Sequence, residues 1–584
     1  MKLQYKSICL QYFISLCMLF IPFPGMAQTE NDKKQDNSFN ENVVVISSFN
    51  PVINEAYKLN ENPVITDTAT GDIEFHYDFV SKRMPTPLSI LPIKAARVIG
   101  EPISKLYNTY VKAGLGTYWT GYLDVFHSSS RSRNTLYNVR LKHYGSLGQI
   151  KDYGNSSFFD TDVKVYGKKI WRTFILDGDV FYSRSKNYYY GYKVNEINLP
   201  ETEAYDNIRN FSSVWNTVGM QIRYADTYTD KGALHHHVKM GLYNLHGKGG
   251  ANEMNLNVEG NLHKYFHLFG NDRQNVGATL IYDHYFNNYR FKENPYDVLN
   301  PYIALEFPKE KSDGILTLDP FINFRYKKLS LKLSLKVSSV FGKETSFHVY
   351  PVAFLQMPVI DRFLNVYGGV DGGMRKNSLQ RLRMENPFIG QYINTPFTEH
   401  RFDAFAGIQS SPLSNLDLVG EIRYEYIKDL PFFMIDTNSI LNNVYTAAFD
   451  NVARWNFRGE VSYSYNDIFQ LGARVDYFIY NLSNLSEPYH RPSFVANLNM
   501  TYTIAEKVMV EFMPFFVGKC KGWNGKNNVD LKPRIDLNLN ITYRYSKQLA
   551  FFAKMNNLAF QRYYTYTGYP SQKFMFMLGG SYAF

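Results

Sequence analysis

The chain has 584 residues, a formal net charge of +10 and a heavy aromatic load of 47 Tyr and 44 Phe. Its mean hydropathy is negative, and past the N-terminus no apolar run approaches the roughly 18 residues of a membrane helix, which excludes a helical membrane bundle. No Lys/Arg cluster interleaved with aromatics forms a nucleic-acid face, so nucleic acid is not expected as a partner; the basic balance suits a solvated surface or a lumen that favours anionic solutes.

In chain order, Lys2 and Lys6 precede the apolar stretch 8–24, and Gly25 and Ala27 stand at the −3 and −1 positions of a cut before Gln28. Residues 1–27 therefore read as a cleaved secretory signal. Cys9 and Cys17 leave with it, Cys520 remains alone, and no intramolecular disulfide framework is expected. Residues 28–40 are polar, and then comes ENVVVISSFNPVI, 41–53, an apolar run amid turn-prone sequence. Residues 47–105 carry Pro51, Pro63, Pro85, Pro87, Pro92 and Pro102 and read as extended or irregular.

From about Leu106 the pattern is period two. In RIDLNLNITYRY, 534–545, Ile535, Leu537, Leu539, Ile541, Tyr543 and Tyr545 share one face; Arg534, Asp536, Asn538, Asn540, Thr542 and Arg544 share the other. LSLKLSLKVSS, 329–339, and QLGARVDYFIY, 470–480, repeat it. Such segments suit tilted strands crossing a hydrocarbon core. Short turns at 130–133, 327–328, 411–415, 466–467 and 546–547 alternate with longer connections at 184–209, 290–312, 374–400, 429–454 and 520–533, while those near 117, 248 and 343 are short. The reading is all-β: a transmembrane antiparallel β-barrel over 106–584 of about 22 strands, within a range of roughly 16 to 22, preceded by a short irregular periplasmic segment, 28–105. The longer connections, 184–209, 374–400 and 429–454 above all, are the expected ligand or partner surface.

The last stretch, AKMNNLAFQRYYTYTGYPSQKFMFMLGGSYAF (553–584), resembles the closing hairpin of TonB-dependent receptors at Asn557, Leu558, Tyr563, Gly568, Tyr569, Pro570, Lys573, Gly579, Tyr582 and Phe584; Lys573 stands where Arg is commoner. Gly579, Tyr582 and the terminal Phe584 resemble the signal that the barrel-assembly machinery reads. The front, in 41–65, 84–133 and 143–154, is similar to outer-membrane barrels labelled TonB-dependent receptor-like. Against that family Glu41-Asn42-Val43-Val44-Val45 resembles a TonB box, with Asn42 where Thr is usual. The resemblance implies an added strand on the TonB energy transducer, since β-augmentation binds through the main chain. The alternative is pairing with the chain's own segment. Residues 47–105 are too short for an ordinary plug, so this segment with inward loops fills the lumen, or the barrel is a pore, or a partner fills it.

No catalytic constellation stands out. His235 and His237 share a strand face, but Lys239 beside them opposes a metal, and Gly247-Lys248-Gly249-Gly250 lacks phosphate-loop spacing. No enzyme activity, cofactor or metal is expected. The expected function is transport of a solute across the outer membrane of a Gram-negative bacterium. Two alternatives stand: a passive, porin-like diffusion channel, and a scaffold or accessory subunit of an envelope complex. Expected partners are outer-membrane lipid, the barrel-assembly machinery during biogenesis, and the TonB transducer.

Overall fold

The computed structural model describes residues 106–584 apart from 130–131, 197–210, 231, 270–271, 291–309, 343–344 and 440. The signal peptide (1–27), the segment 28–105 and the box-like Glu41, Asn42, Val43, Val44 and Val45 lie outside the described residues.

A single antiparallel sheet of 22 strands closes on itself. The first strand, Thr109–Gly116, pairs on one side with Thr120–Ser128 and on the other with the last, Met575–Ala583. Along this seam Val111 faces Tyr582 and Gly114 faces Gly579. Phe584 N donates to Thr109 O at 2.9 Å, and Thr109 N returns a bond to Phe584 O at 2.9 Å. In lipid no water can satisfy a free sheet edge, so closure is what permits a sheet to span at all.

The period-two faces sort as the alternation predicts. Val165, Val180 and Met220 form one cross-strand row with outward exposures of 46%, 55% and 38%. Leu333, Leu335, Val475, Ile479, Ile535 and Tyr543 are likewise exposed, whereas Asp476 and Asp536 on the opposite faces are buried. An apolar outside over a polar inside is the surface of a barrel in lipid. No helix among the described residues is long and apolar enough to cross a membrane.

The even strand number brings both barrel termini to one end. There the connections are short, at 327–328, 414–415, 466–468, 505–507 and 545–548. The other end, the loop end, carries the connections 147–157, 377–396, 436–444, 483–493, 518–533 and 557–574. Several expectations shift: the connection expected at 184–209 begins only after Tyr188, where the strand Phe174–Tyr188 ends, the one expected at 290–312 ends before Glu310, which opens the next strand, and the turn expected at 411–415 narrows to 414–415. The connection expected at 429–454 shrinks to 436–444, because Leu416–Ile435 and Tyr445–Tyr465 run on as paired strands past a bulge between Ile427 and Leu430. The connection expected at 374–400 is 377–396 and contains a helix, Leu379–Glu385. The one expected at 520–533 is largely a hairpin of Cys520–Trp523 with Asn528–Leu531.

Gly579 is held to glycine by the seam. A Cβ there would lie 2.2 Å from Ala113 O and 2.3 Å from the Phe552 ring, and the backbone oxygen cannot yield. Gly579→Val is expected to cost about 1–3 kcal/mol or more. The check is the unheated, fast-migrating barrel band in gel electrophoresis, which should weaken. Gly472→Ala should leave that band intact, since its Cβ would meet nothing within 4 Å.

Candidate functional site

Inward-facing side chains line the lumen with paired charges. Arg423 reaches Asp403 at 2.8 Å and Glu421 at 3.1 Å. Arg458 and Arg474 share Asp476, at 2.9 and 2.7 Å, and Arg454 meets Glu425 at 2.5 Å. Elsewhere on the wall Arg140 pairs with Asp124, Lys336 with Asp371 and Arg223 with Asp177. Arg423–Asp403, Arg458–Asp476, Arg454–Glu425, Arg140–Asp124 and Arg223–Asp177 each link neighbouring strands, whereas Arg423–Glu421 and Arg474–Asp476 lie within one strand, so the cross-strand pairs add charge-assisted bonds between ladders.

Across the loop end lies a packed cap. Trp215, Leu245, Tyr289, Leu379, Leu382, Ile389, Ile393, Phe433, Tyr445 and Tyr569 form one buried cluster, drawn from two sectors of the wall, the strands between Ser212 and Tyr289 and those between Leu416 and Tyr465, and from the connections 377–396 and 557–574. Polar tips of its aromatics end on backbone carbonyls of other loops. Tyr189 Oη donates to Ile389 O at 3.0 Å, Tyr190 Oη to Pro570 O at 3.1 Å, Tyr392 Oη to Gly249 O at 2.7 Å and Tyr445 Oη to Thr567 O at 2.8 Å. Tyr569 Oη donates to Asn443 O, and the Tyr569 ring stacks on Phe388 with centroids 3.6 Å apart.

The helix Leu379–Glu385 turns its apolar face, Leu379 and Leu382, into this cluster. Its start is satisfied from two directions. Ser378 Oγ accepts from Arg381 N at 3.2 Å, and the carboxylate of Glu253, 0% exposed, accepts from Leu379 N at 2.7 Å and Gln380 N at 3.2 Å. A carboxylate at a helix N-terminus meets both the free N–H groups and the positive dipole end. Tyr243 Oη adds a third bond to Glu253 at 3.0 Å. Glu253 thus ties the cap to the wall strand Ala251–Phe269.

The residues of the family-like closing hairpin have physical jobs here. Asn557, at φ +53°, anchors the base of the 557–574 connection: its Nδ2 donates to Gln561 O at 2.7 Å, Gln572 O at 3.1 Å and Lys573 O at 2.7 Å. Gly568 takes φ +84°, which favours glycine, and sets Tyr569 into the cap. Tyr582 and Phe584 stack on the outside beside the seam, and both are exposed.

His490, in the 483–493 connection, joins the cap in a definite tautomer. Nδ1–H donates to Phe433 O at 2.9 Å, so Nε2 is free to accept from Thr567 N at 3.2 Å. Burial, opposed by the Phe433 carbonyl and reinforced by Arg491, pushes His490 down to about 4.

The histidines singled out in the sequence are not brought together as ligands. His235 pairs with Asp226 at 2.9 Å, and His237 with Glu259 at 3.6 Å. No group of three or more His, Cys, Asp or Glu able to hold a metal occurs among the described residues. Sequence reasoning missed the cap, Glu253 and His490.

No protein-family model matches the chain, and no curated protein does. Solved structures do. The siderophore receptor PirA from Acinetobacter baumannii is similar at TM-score 0.61 and 10% identity, over 83% of this chain and 81% of that one. The ferric-catecholate import receptor Fiu from K12 E. coli is similar at TM-score 0.60 and 10% identity, over 82% of each. The pyoverdine outer membrane receptor FpvA from Pseudomonas aeruginosa PAO1, bound to pyoverdine, is similar at TM-score 0.59 and 12% identity, over 83% of this chain and 79% of that one. At such identities the likeness is one of fold.

Two outcomes are expected of the cap. Glu253→Ala strands buried donors at the helix start, a cost of about 3 kcal/mol, so hydrogen exchange of amides 379–386 should rise roughly a hundredfold; the heat-modifiable barrel band should persist. The second outcome concerns pH. His490 is neutral in the closed cap and ionises near 6.5 when released. The released form binds more protons between about 4 and 6.5, so the cap is at full strength above that window and weakens as pH falls through it, by at most about 3 kcal/mol. Protection factors of 557–574, corrected for intrinsic exchange, should fall over this window in the wild type. The slope should vanish in His490→Gln.

Proposed function

We propose that the chain is an outer-membrane transport barrel of the TonB-dependent receptor type, moving a solute across the outer membrane of a Gram-negative bacterium. One observation carries the reading: a closed barrel of 22 strands, similar in fold over more than four-fifths of the chain to receptors whose names describe siderophore uptake. In this reading the loop end faces outward and the short turns, with both barrel termini, face the periplasm. The outward apolar surface contacts lipid.

Glu41, Asn42, Val43, Val44 and Val45 serve as the handle for the TonB transducer, by strand addition. The last strand, with Gly579, Tyr582 and Phe584, is what the barrel-assembly machinery reads; its place at the closing seam supports this, since that edge is unpaired until closure. No enzymatic role is proposed.

A second reading, a scaffold subunit of an envelope complex, is favoured by the cap: a loop end crossed by a buried aromatic cluster suits a barrel that holds partners as well as one that gates a solute. The steady passive channel is the reading the cap favours least.

The test takes the full chain in planar bilayers and in capture by the periplasmic domain of TonB. Little steady conductance and firm capture are expected. Val44→Pro removes a ladder N–H from the added strand and should weaken capture roughly tenfold or more. Equal capture of wild type and Val44→Pro would remove the transducer handle and move the scaffold reading to the front. A large, steady conductance would instead make the protein a diffusion channel.

A further inference from the structure

Beside the cap, on the inner side of the loop end, lies a cavity of about 110 Å³. It sits where the 483–493 connection, the Cys520–Trp523 hairpin, the start of the strand Arg534–Arg544 and the closing loop 557–574 meet. His490, Cys520, Lys532, Arg534, Tyr564 and Tyr566 are among its lining residues. A single buried water needs roughly 10–15 Å³ on this scale, so the space suits a phosphate or a small planar acid and not a large glycan.

The charge of the lining is one-sided. Lys532 and Arg534 contribute two cations, and no carboxylate lines the cavity. Arg534 differs from the ion-paired arginines of the wall named above. Arg423, Arg454, Arg458 and Arg474 each reach a carboxylate between 2.5 and 2.9 Å. Arg534 has no carboxylate partner among the described residues; its guanidinium lies 5.7 Å from the Tyr563 ring centroid, and its Nε is buried without a hydrogen bond. The nearest candidate on its own strand face, Asp536, is spent elsewhere: it accepts from Tyr563 Oη at 2.6 Å and from Asn557 N at 3.1 Å. The hairpin's acid, Asp530, is likewise taken, by Lys521 at 2.7 Å.

A buried donor without a partner costs stability, and a guanidinium fork matches a carboxylate or phosphate with two parallel bonds. The tyrosine hydroxyls around the cavity are already engaged, Tyr564 with Tyr153 at 2.9 Å and Tyr566 with Glu385 O, so these residues offer ring surface more than polar tips. We propose that this cavity is a subsite for the oxyanion head, carboxylate or phosphate, of a small ligand, held by Arg534 with Lys532 at the exposed rim and the Tyr564 and Tyr566 rings as walls. Binding here does not depend on whether the barrel transports, and the test is independent of uptake.

Cys520 is a reporter within the cavity. It lines the same space as Arg534, and burial pushes its thiol up, opposed by Arg534, so an anion seated beside it should slow its alkylation. The full chain in detergent micelles is treated with a maleimide, and labelling is followed by mass on the peptide carrying Cys520. Inorganic phosphate and benzoate are titrated separately, with chloride at matched ionic strength as control, and each variant is compared with its own ligand-free rate. One or both anions should slow labelling in the wild type. Arg534→Gln should weaken the apparent affinity roughly tenfold or more, and Arg534→Lys should retain part of it. Lys532→Gln, at the exposed rim, should act in the same direction with a smaller effect and little risk to folding. Protection by both anions supports a general oxyanion site, and protection by one names its head group. No protection beyond chloride, or equal protection in Arg534→Gln, overturns the proposal.

Discussion

The seam between Thr109–Gly116 and Met575–Ala583 is the constraint on which the rest of the molecule depends. A sheet in hydrocarbon has no water to satisfy its edges, so all the strands are viable only if the first finds the last. Closure also fixes the two faces. Once the sheet curls, alternate residues point to lipid or lumen with no third choice, and a slip of one residue would turn Leu333 and Leu335 inward and Lys332 and Lys336 outward. The register is thus held by the whole ring, and the seam residues meet the tightest demand: Gly114 opposite Gly579 lets the ladders approach where Phe552 fills the inside.

A ring of 22 strands is wide enough that its own side chains do not fill it. Two devices answer that. Along the wall, cross-strand ion pairs such as Arg423 with Asp403 and Arg454 with Glu425 compensate charges that would otherwise face a wide polar lumen alone. At the loop end the chain folds its own connections inward, and the apolar face of Leu379–Glu385 docks on wall strands through Glu253. The wall is therefore electrostatic and the cap mainly apolar. Acid and salt act on the two differently: salt screens exposed pairs, while a buried neutral histidine responds to protons.

What was legible in the sequence was what the solvent dictates locally. Lipid asks only for an apolar residue at every second position, and RIDLNLNITYRY or LSLKLSLKVSS states that without reference to any partner. The strand number and the alternation of short and long connections follow from counting such segments. The stretch 429–435, DLPFFMI, misled because Asp429 and Pro431 look like loop chemistry; here Asp429 absorbs a positive φ at a bulge, and the strand continues beyond it. The cap was illegible for a different reason. Its contacts join residues far apart in sequence, such as Asn443 with the carbonyl of Tyr189 or Leu379 with Glu253, and no local period marks either member. An isolated Glu253 in a strand reads as one more lumen carboxylate.

The tyrosines connect these levels. A composition rich in Tyr is expected of a barrel's interfacial girdles, where an apolar ring and a wet hydroxyl suit the headgroup layer. Part of that content is used elsewhere here, in the cap, where Tyr189, Tyr190, Tyr392, Tyr445 and Tyr569 bury their rings and donate to backbone carbonyls of other loops. A carbonyl acceptor constrains the partner's backbone more than its side chain. Such a cap is specific in shape, yet no disulfide locks it, since Cys520 is a free thiol and the only cysteine of the described residues. Each hydroxyl can return to water when its loop lifts, so each bond contributes only about 1 kcal/mol net. The barrel wall, with its continuous ladders, is therefore the permanent part of the molecule, and the aromatic cap is the part whose opening protons bias through His490.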